Sequence, residues 1–296
     1  MLTWRKWEIK QLVEKDYPSG LRRVRPKVKQ LYYRGQWEAQ LFTKAIAVVG
    51  ARRMTKYGEV MTQRLVSGLV GAGYTIVSGF MYGIDTMAHK VCLENGGKTV
   101  AVLGCGLDCL TPAENDGLYT KILESGGLVL SEFEPKQEAK LWTFPYRNRI
   151  VVGLSQALVV VEAGERSGSL VTARWAFKQK KPVMAVPGAA TSSLSAGTNW
   201  LIKNGAVLVT NSNDVLKELG DSLQGPTLQA HKLMTLSEAE KQVVEMLKRE
   251  EMDCDEISRK LKLPAGRVGV LLSQLSLKGV IEESGGKFML GLLYAD

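Results

Sequence analysis

Short loops rich in Gly, Ser and Arg follow several apolar runs of this chain, and these residue types can bind phosphate. The first loop, within Val48–Gly58, reads VVGARRMTKYG. Gly50 permits close backbone approach at a strand end, and Arg52 and Arg53 follow just before a helix predicted to start near Tyr57. The GxGxxG dinucleotide fingerprint is absent. The loop therefore predicts a phosphate site without a dinucleotide cofactor.

Two further loops have the same small, polar character. In VSGFMYGID, Ser78, Gly79 and Gly83 can present backbone amides to an anion, and Asp85 is predicted to cap the following helix. The last loop precedes another helix and offers hydroxyls and amides: Arg166, Ser167, Gly168 and Ser169. With the aromatic segment described next, four such segments on one sheet edge could hold several phosphates of one strand.

Aromatic and cationic side chains alternate between residues 140 and 149, which read KLWTFPYRNR. The alternating residues are Trp142, Phe144 and Tyr146 with Lys140, Arg147 and Arg149. Rings that stack on bases beside cations that follow the backbone are typical of single-strand binding, at ~1–3 kcal/mol per stacked base. Packing into the core is an alternative for Trp142 and Tyr146, whereas Phe144, next to a proline, is expected in a loop. His89 is expected to be a packed or hydrogen-bonded helical residue.

The net charge of +9 is concentrated near the N-terminus of the 296-residue chain. Residues 1–35 hold ten Lys/Arg and three Asp/Glu, or +7. Such a segment suits a polyanion, because phosphate neutralisation releases counterions; a solvated basic surface would explain the charge equally well. The four cysteines do not form a zinc-ligand pattern and are expected to be reduced, buried or half-buried thiols. Neither a metal nor a cofactor is expected.

Alternating apolar and amphipathic segments predict an α/β fold with a doubly wound, mostly parallel, Rossmann-like sheet. The predicted strands are 45–49, 75–78, 99–103, 128–131, 157–162, 182–186 and 206–210. The predicted helices are 57–72, 86–95, 118–125 and 170–180. No apolar run approaches a membrane span, and the N-terminus lacks a secretory signal, so a cytoplasmic protein without a membrane partner is expected.

Four segments are predicted along the chain. A basic segment, 1–40, leads into the core; a Rossmann-like DNA-binding domain covers 41–220; a linker covers 221–234. Residues 235–296 are predicted to form a small winged-helix-like domain, because three helical patterns precede a hairpin around Gly285–Gly286. Ser237 is the expected N-cap of its first helix.

The motifs resemble the DprA (Smf, DNA-processing protein A) family in type and order. The matching blocks are VVGARR, SGxxxGID at 78–85, AVLGCGLD at 101–108, FPYRNRIVVGLS at 144–155, VVEAGERSGSLVTA at 160–173 and AVPG at 185–188. The resemblance covers residues 17–220, and the C-terminal residues resemble the winged-helix module of the family less distinctively. Two departures are Ala51, where the family usually has Ser, and Tyr146, where many relatives have a basic residue.

The resemblance implies a homodimer that binds single-stranded DNA, protects incoming DNA during natural transformation and loads the recombinase RecA onto it, without catalysis. Its DNA-contact residues would be Gly50, Arg52, Arg53, Ser78, Gly79, Gly83, Lys140, Phe144, Arg147, Asn148, Arg149, Arg166, Ser167, Gly168 and Ser169. Arg52 occupies the place of the family's DNA-binding arginine in the first loop.

Three other functions fit the sequence less well. A nucleotide-binding hydrolase of the lysine-decarboxylase-like, phosphoribohydrolase type has a similar fold, but Thr172 stands where its catalytic Glu is expected. ATP hydrolysis is disfavoured, because Cys92 replaces the first glycine of a Walker A motif and GGKT at 96–99 runs from a helix into a strand. A sequence-specific regulator would read bases with only Arg267, Gln274 and Lys278.

Overall fold

The structure, a computed structural model, describes residues 3–222, 236–291 and 294. The chain divides into two compact units, Met1–Gly225 and Pro226–Asp296. The predicted linker, 221–234, lies outside the described residues from residue 223 onward.

A nine-stranded sheet forms the centre of the larger unit. Its strands are β1 (Lys10–Leu12), β2 (Leu31–Gly35), β3 (Ala45–Val49), β4 (Thr75–Ser78), β5 (Thr99–Val102), β6 (Leu128–Ser131), β7 (Ala157–Val160), β8 (Val183–Ala185) and β9 (Val207–Leu208). Their spatial order is β1-β2-β6-β5-β4-β3-β7-β8-β9. In this spatial order, the last seven strands, which begin with β6 and end with β9, are parallel. Strands β1 and β2 add an antiparallel edge.

Eight helices among the described residues belong to the same unit. They are α1 (Ser19–Arg22), α2 (Lys56–Gly71), α3 (Ile84–Glu94), α4 (Asp116–Glu124), α5 (Thr143–Gly153), α6 (Gly168–Lys178), α7 (Ala196–Lys203) and α8 (Ser212–Glu218). Short 3-10 turns occupy Thr3–Lys6, Glu14–Asp16, Ala39–Phe42 and Ala113–Asn115. The four helices predicted from periodicity are all present, each displaced by one or two residues.

Helices cover both faces of the sheet, as β3 illustrates. Ala45, Ala47 and Val49 pack with residues of α5 and α6, whereas Ile46 and Val48 pack with residues of α2, α3 and α8. Successive side chains of a strand point to opposite faces, so a strand covered on both sides is apolar throughout. This is why the buried strands could be predicted from composition, and the predicted mostly parallel α/β sheet is confirmed.

The basic segment that precedes β3 is part of this sheet. Its strands β1 and β2 pair with each other, and β2 pairs antiparallel with β6. Nine of its ten Lys/Arg side chains are exposed. Arg34 is the buried one: it pairs with Asp108 at 2.7 Å and donates to the Trp7 carbonyl at 2.9 Å. The segment thus contributes both sheet edge and basic surface.

Helix α5 was not predicted, and Phe144 accordingly lies in a helix instead of the expected loop. Pro145 is in the first turn, where its missing N–H costs no helical hydrogen bond. Arg147 and Arg149 are both buried, so the inward face of α5 includes charged residues and lacks the apolar period that identifies a surface helix.

The smaller unit has the predicted winged-helix order. Helices α9 (Glu238–Leu247), α10 (Cys254–Leu261) and α11 (Ala265–Leu277) precede a hairpin of β10 (Ile281–Ser284) and β11 (Lys287–Leu290). Ser237 caps α9 as expected, with its hydroxyl accepting from the Glu240 amide. Gly285 and Gly286 both have positive φ, 61° and 80°, which a two-residue hairpin turn of type I′ requires.

The four thiols are free, as expected, with Cys92 and Cys105 buried and Cys109 and Cys254 half-buried. In the part of the chain that the structure describes, no helix is long and apolar enough to cross a membrane. Within the same residues, no cluster of three or more His, Cys, Asp or Glu side chains could hold a metal ion.

Candidate nucleic-acid interface

A cleft of about 690 Å³ opens where β3, β4 and β7 end. Strand β3 lies between β4 and β7. The helix after β4, α3, packs on one face of the sheet, and the helix after β7, α6, packs on the other. Such a switch point separates the loops of adjacent strands and is where doubly wound sheets bind ligands. This space is called the carboxyl-end cleft below.

Eleven of the fifteen predicted contact residues line the carboxyl-end cleft. They are Gly50, Arg52, Arg53, Gly79, Phe144, Arg147, Asn148, Arg166, Ser167, Gly168 and Ser169. They come from three loops and from α5, and the first and last of them, Gly50 and Ser169, are 119 positions apart in the chain. The remaining four, Ser78, Gly83, Lys140 and Arg149, do not line it.

The first loop is held against its neighbours by a buried carboxylate. Glu162, which follows β7, accepts hydrogen bonds from the Thr55 amide at 2.9 Å and from the Thr55 hydroxyl at 2.5 Å. At Gly50, a Cβ would lie 2.5 Å from Cγ1 of Ile84, so no larger residue fits between the loop and α3. This anchoring leaves Arg52 and Arg53 exposed at the cleft, and the Arg52 guanidinium lies 5.4 Å from the ring centre of Phe144.

The loop after β4 is organised around Gly79. Arg147 donates to the Gly79 carbonyl oxygen, and a Cβ on Gly79 would lie 2.2 Å from Oδ2 of Asp85. Gly83 has a φ of 74°, and a Cβ there would lie 2.2 Å from the Ala51 carbonyl oxygen. Gly83 therefore allows two loops to meet and has a packing role.

The loop before α6 presents a helix start to the cleft. Ser167 is the N-cap: its hydroxyl accepts from the Ser169 amide at 3.3 Å and lies 2.7 Å from the Ser169 hydroxyl. Arg166 and Gly168 are exposed beside it. Amides at a helix start favour an anion, and the arginine adds a full charge.

Among the residues that the structure describes, four guanidinium groups and one carboxylate, Asp85, line the carboxyl-end cleft. Burial raises the pKa of Asp85 to about 6, although the nearby Arg147 opposes the rise. Burial also lowers the pKa of Arg147 to about 10, which leaves it protonated at neutral pH. These described groups make the cleft positive overall, and the Asp85 carboxylate titrates close to neutrality.

The prediction of a DNA contact is wrong for two residues, because their polar atoms are buried. The Arg149 side chain is 0% exposed, pairs with both carboxylate oxygens of Glu132 and lies over the Tyr146 ring. The Ser78 hydroxyl is fully buried and donates to the Val48 carbonyl at 2.6 Å. Both side chains hold elements together and are unavailable to DNA.

Asp85 was also predicted to cap α3, and this is wrong. The N-cap is Gly83, and the Asp85 carboxylate instead accepts from the Met81 amide, which precedes the helix. His89 is fully buried, with Nδ1 at 2.6 Å from the Thr99 hydroxyl, so the expectation of a hydrogen-bonded helical residue is confirmed.

Sequence reasoning missed Tyr82, whose ring is 44% exposed at the cleft and whose hydroxyl donates to Glu114. Its signal was available, since an aromatic residue stands in a glycine loop between predicted anion sites. Outside the cleft, Trp142 is 53% exposed and meets Phe133 and Tyr146 edge to face.

The fold and the cleft define a class: Rossmann-like α/β proteins with a positively charged crevice at the switch point, here joined to a winged helix. The DNA recombination-mediator protein A family model matches residues 8–220, and the DprA winged helix domain model matches residues 229–287. The chain belongs to the DprA/Smf family.

Individual relatives agree with this assignment. The DNA processing protein DprA of Streptococcus pneumoniae is 41% identical over 207 residues, which cover 70% of this chain and 72% of that protein. Protein Smf of Escherichia coli is 41% identical over 208 residues, and the match covers 70% of this chain but only 53% of that protein.

Two solved structures share the fold. The S. pneumoniae DprA structure superposes with a TM-score of 0.66 at 39% identity, over 73% of this chain and 75% of that one. The DNA processing protein A of Helicobacter pylori, described with a unique single-stranded DNA binding mode, gives 0.65 at 30% identity, over 72% of this chain and 96% of that one.

Proposed function

We propose that this protein binds single-stranded DNA in the carboxyl-end cleft without cleaving it. The observation that carries the proposal is the convergence of Arg52, Arg53, Arg147 and Arg166 on one crevice with a helix start and the half-buried ring of Phe144. Cations and amides suit the phosphates, and an aromatic ring suits an unpaired base. Single-strand binding by the H. pylori relative supports the same reading.

Membership of the DprA/Smf family supports a role in recombination and natural transformation. We propose that the protein protects incoming single strands and loads RecA onto them in the cytoplasm, acting as a homodimer. Exposed apolar side chains near the β9 edge of the sheet, Trp200 and Leu208, support self-association through this domain. A strand-exchange assay with RecA and a single-strand binding protein tests loading, and sedimentation tests the dimer.

Hydrolysis of nucleotides is the disfavoured alternative. Thr172, at the position where the phosphoribohydrolases have their catalytic Glu, lines the carboxyl-end cleft and is buried with its hydroxyl facing the Gly168 carbonyl. The buried carboxylates of Glu162 and Asp85 have other partners: Glu162 holds Thr55, and Asp85 faces Arg147. Release of free base from a nucleoside monophosphate by the purified protein would contradict the non-catalytic proposal.

The decisive experiment measures binding of a 15-nucleotide thymidine strand, dT15, by fluorescence anisotropy at increasing salt concentrations. It is done with and without a duplex competitor of equal length. We expect the affinity to fall steeply as salt increases. The slope of the logarithm of the binding constant against the logarithm of the salt concentration should be about −0.7 per neutralised phosphate. A duplex that competes as well as unlabelled dT15 would overturn the preference for single strands.

A further inference from the structure

A second basic cleft, of about 670 Å³, lies at the other end of α6. Its cations are Arg23 and Arg25, from the loop after α1, and Lys178, Lys180 and Lys181, from the end of α6 and the turn that follows. None of the described residues that line it is acidic. Since this turn leads into the start of β8, the second cleft is called the amino-end cleft.

The charges of the amino-end cleft are mostly unneutralised. Across residues 3–222, 236–291 and 294, none of its five cations forms an ion pair with a carboxylate. Lys181 donates to the carbonyls of Val152, Gly153 and Ser155 and thereby caps the end of α5. The other four are exposed. Like charges gathered around one concave space repel each other unless an anion is bound between them.

One face of α6 connects the two clefts. Val171, Trp175 and Lys178 are spaced four and three residues apart, so they lie in one row on the helix. Val171 lines the carboxyl-end cleft, whereas Trp175 and Lys178 line the amino-end cleft. Trp175 also donates from its indole nitrogen to the Pro145 carbonyl at 3.1 Å, and Pro145 lines the carboxyl-end cleft.

The length of this path suits a few nucleotides. The eleven residues of α6 rise by about 16 Å at 1.5 Å per residue. Stacked nucleotides of one strand are about 3.4 Å apart, so roughly five of them span the helix.

We propose that a single strand held in the carboxyl-end cleft continues along the Val171–Trp175–Lys178 face of α6 into the amino-end cleft. Arg23, Arg25 and Lys178 there neutralise further phosphates of the same strand. This extension rests on the proposed function of the carboxyl-end cleft, and it assigns part of the basic N-terminal segment to DNA contact.

The test compares a short and a long oligonucleotide on the Arg23→Ala, Arg25→Ala, Lys178→Ala triple variant. The trinucleotide dT3 is too short to occupy both clefts, whereas dT15 can fill them together. We expect dT15 affinity at low salt to fall at least about tenfold and its salt slope to decrease by about 2, at 0.7 per phosphate for three phosphates. Binding of dT3 should be unchanged, because Arg52 and Arg166 remain.

The matched control removes three exposed lysines elsewhere in the same unit, Lys90, Lys121 and Lys217, each replaced by Ala. It loses the same net charge but should retain most of the dT15 affinity and its slope. If the triple variant does not fold, Lys178→Glu alone is the second variant. It should lower the affinity for dT15 and leave the affinity for dT3 unchanged.

The outcomes separate the two proposals. If wild-type protein binds dT15 and the triple variant equals the control, the amino-end extension is wrong and the carboxyl-end site stands. An equal loss for dT3 and dT15 would also overturn the extension. If wild-type protein binds neither oligonucleotide, both proposals fail.

Discussion

Arg149 of α5 and the three loop arginines of the carboxyl-end cleft have opposite surroundings, although α5 also lines that cleft. Arg149 is fully enclosed, with Glu132 on both of its terminal nitrogens and the Pro26 carbonyl on Nε. Arg52, Arg53 and Arg166 are exposed at the cleft and have no carboxylate partner among the described residues. Arg147 is intermediate, since it is buried but still lines the cleft.

The difference shows that one residue type serves two purposes around one site. A buried, paired guanidinium fixes α5 against the preceding chain, and an exposed one remains available to a ligand. Substitutions should therefore separate stability from binding, and the following four experiments test that separation from the largest expected effect to the smallest.

Arg149→Ala should reduce the free energy of unfolding by about 3–5 kcal/mol, because it leaves the Glu132 carboxylate with its charge unpaired in a largely buried place. Urea denaturation of the purified variant measures the loss. The Arg149→Ala, Glu132→Ala double variant should regain part of it, since no lone charge remains. A loss below about 1 kcal/mol would show that the ion pair does not anchor α5.

Arg52→Ala should have the opposite effect to Arg149→Ala: it should weaken DNA binding and leave stability almost unchanged. Stability should change by less than about 0.5 kcal/mol, as is usual for an exposed side chain. Single-strand affinity should fall by about 1.5–3 kcal/mol, the range for hydrogen bonds to charged groups, with a salt slope smaller by about 0.7. Arg52→Lys is the control that retains the charge; unchanged dT15 binding in Arg52→Ala would remove this residue from the interface.

Phe144→Ala should weaken dT15 binding by about 1–3 kcal/mol through loss of base stacking, independently of sequence. The ring also packs on Gly104, where a Cβ would lie 2.8 Å from Cδ1 of Phe144. Phe144→Leu therefore serves as the control that fills this space without an aromatic face. Full binding by the Leu variant would mean that the ring only supports the fold.

The pH dependence of binding should be the smallest effect. With the pKa of Asp85 at about 6, the carboxylate is ionised at pH 7.5 and half-protonated near pH 6. A bound phosphate raises that pKa further, so binding takes up protons and affinity increases as pH falls from 7.5 to 5.5.

The gain in affinity is at most about tenfold for each unit by which a bound phosphate raises the pKa of Asp85. Burial lowers the pKa of His89 to about 3, so this residue does not titrate in the same range. Anisotropy titrations of wild-type and Asp85→Asn protein, at constant ionic strength, measure the effect. A gain of equal size in both would assign it to another group.

The sequence alone predicted every strand from β3 to β9 within two residues, because most of these strands are covered on both faces and are therefore largely apolar. It also identified the three small-residue loops, since close approach and helix capping restrict those positions to Gly, Ser or Thr. It did not reveal β1 and β2, whose short runs mix polar and apolar residues, or α5, whose inward face includes two arginines.

What the sequence determined, then, is the order of strands and helices and the residue types available at each strand end, since these depend on local periodicity and backbone restriction. The tertiary structure decided which of those ends meet and which charges face solvent. The placement of β3 between β4 and β7 creates the carboxyl-end cleft, and Glu132, seventeen residues before Arg149, removes that arginine from it. Both results depend on contacts between distant segments, and a local pattern does not encode the partner that buries or neutralises a side chain.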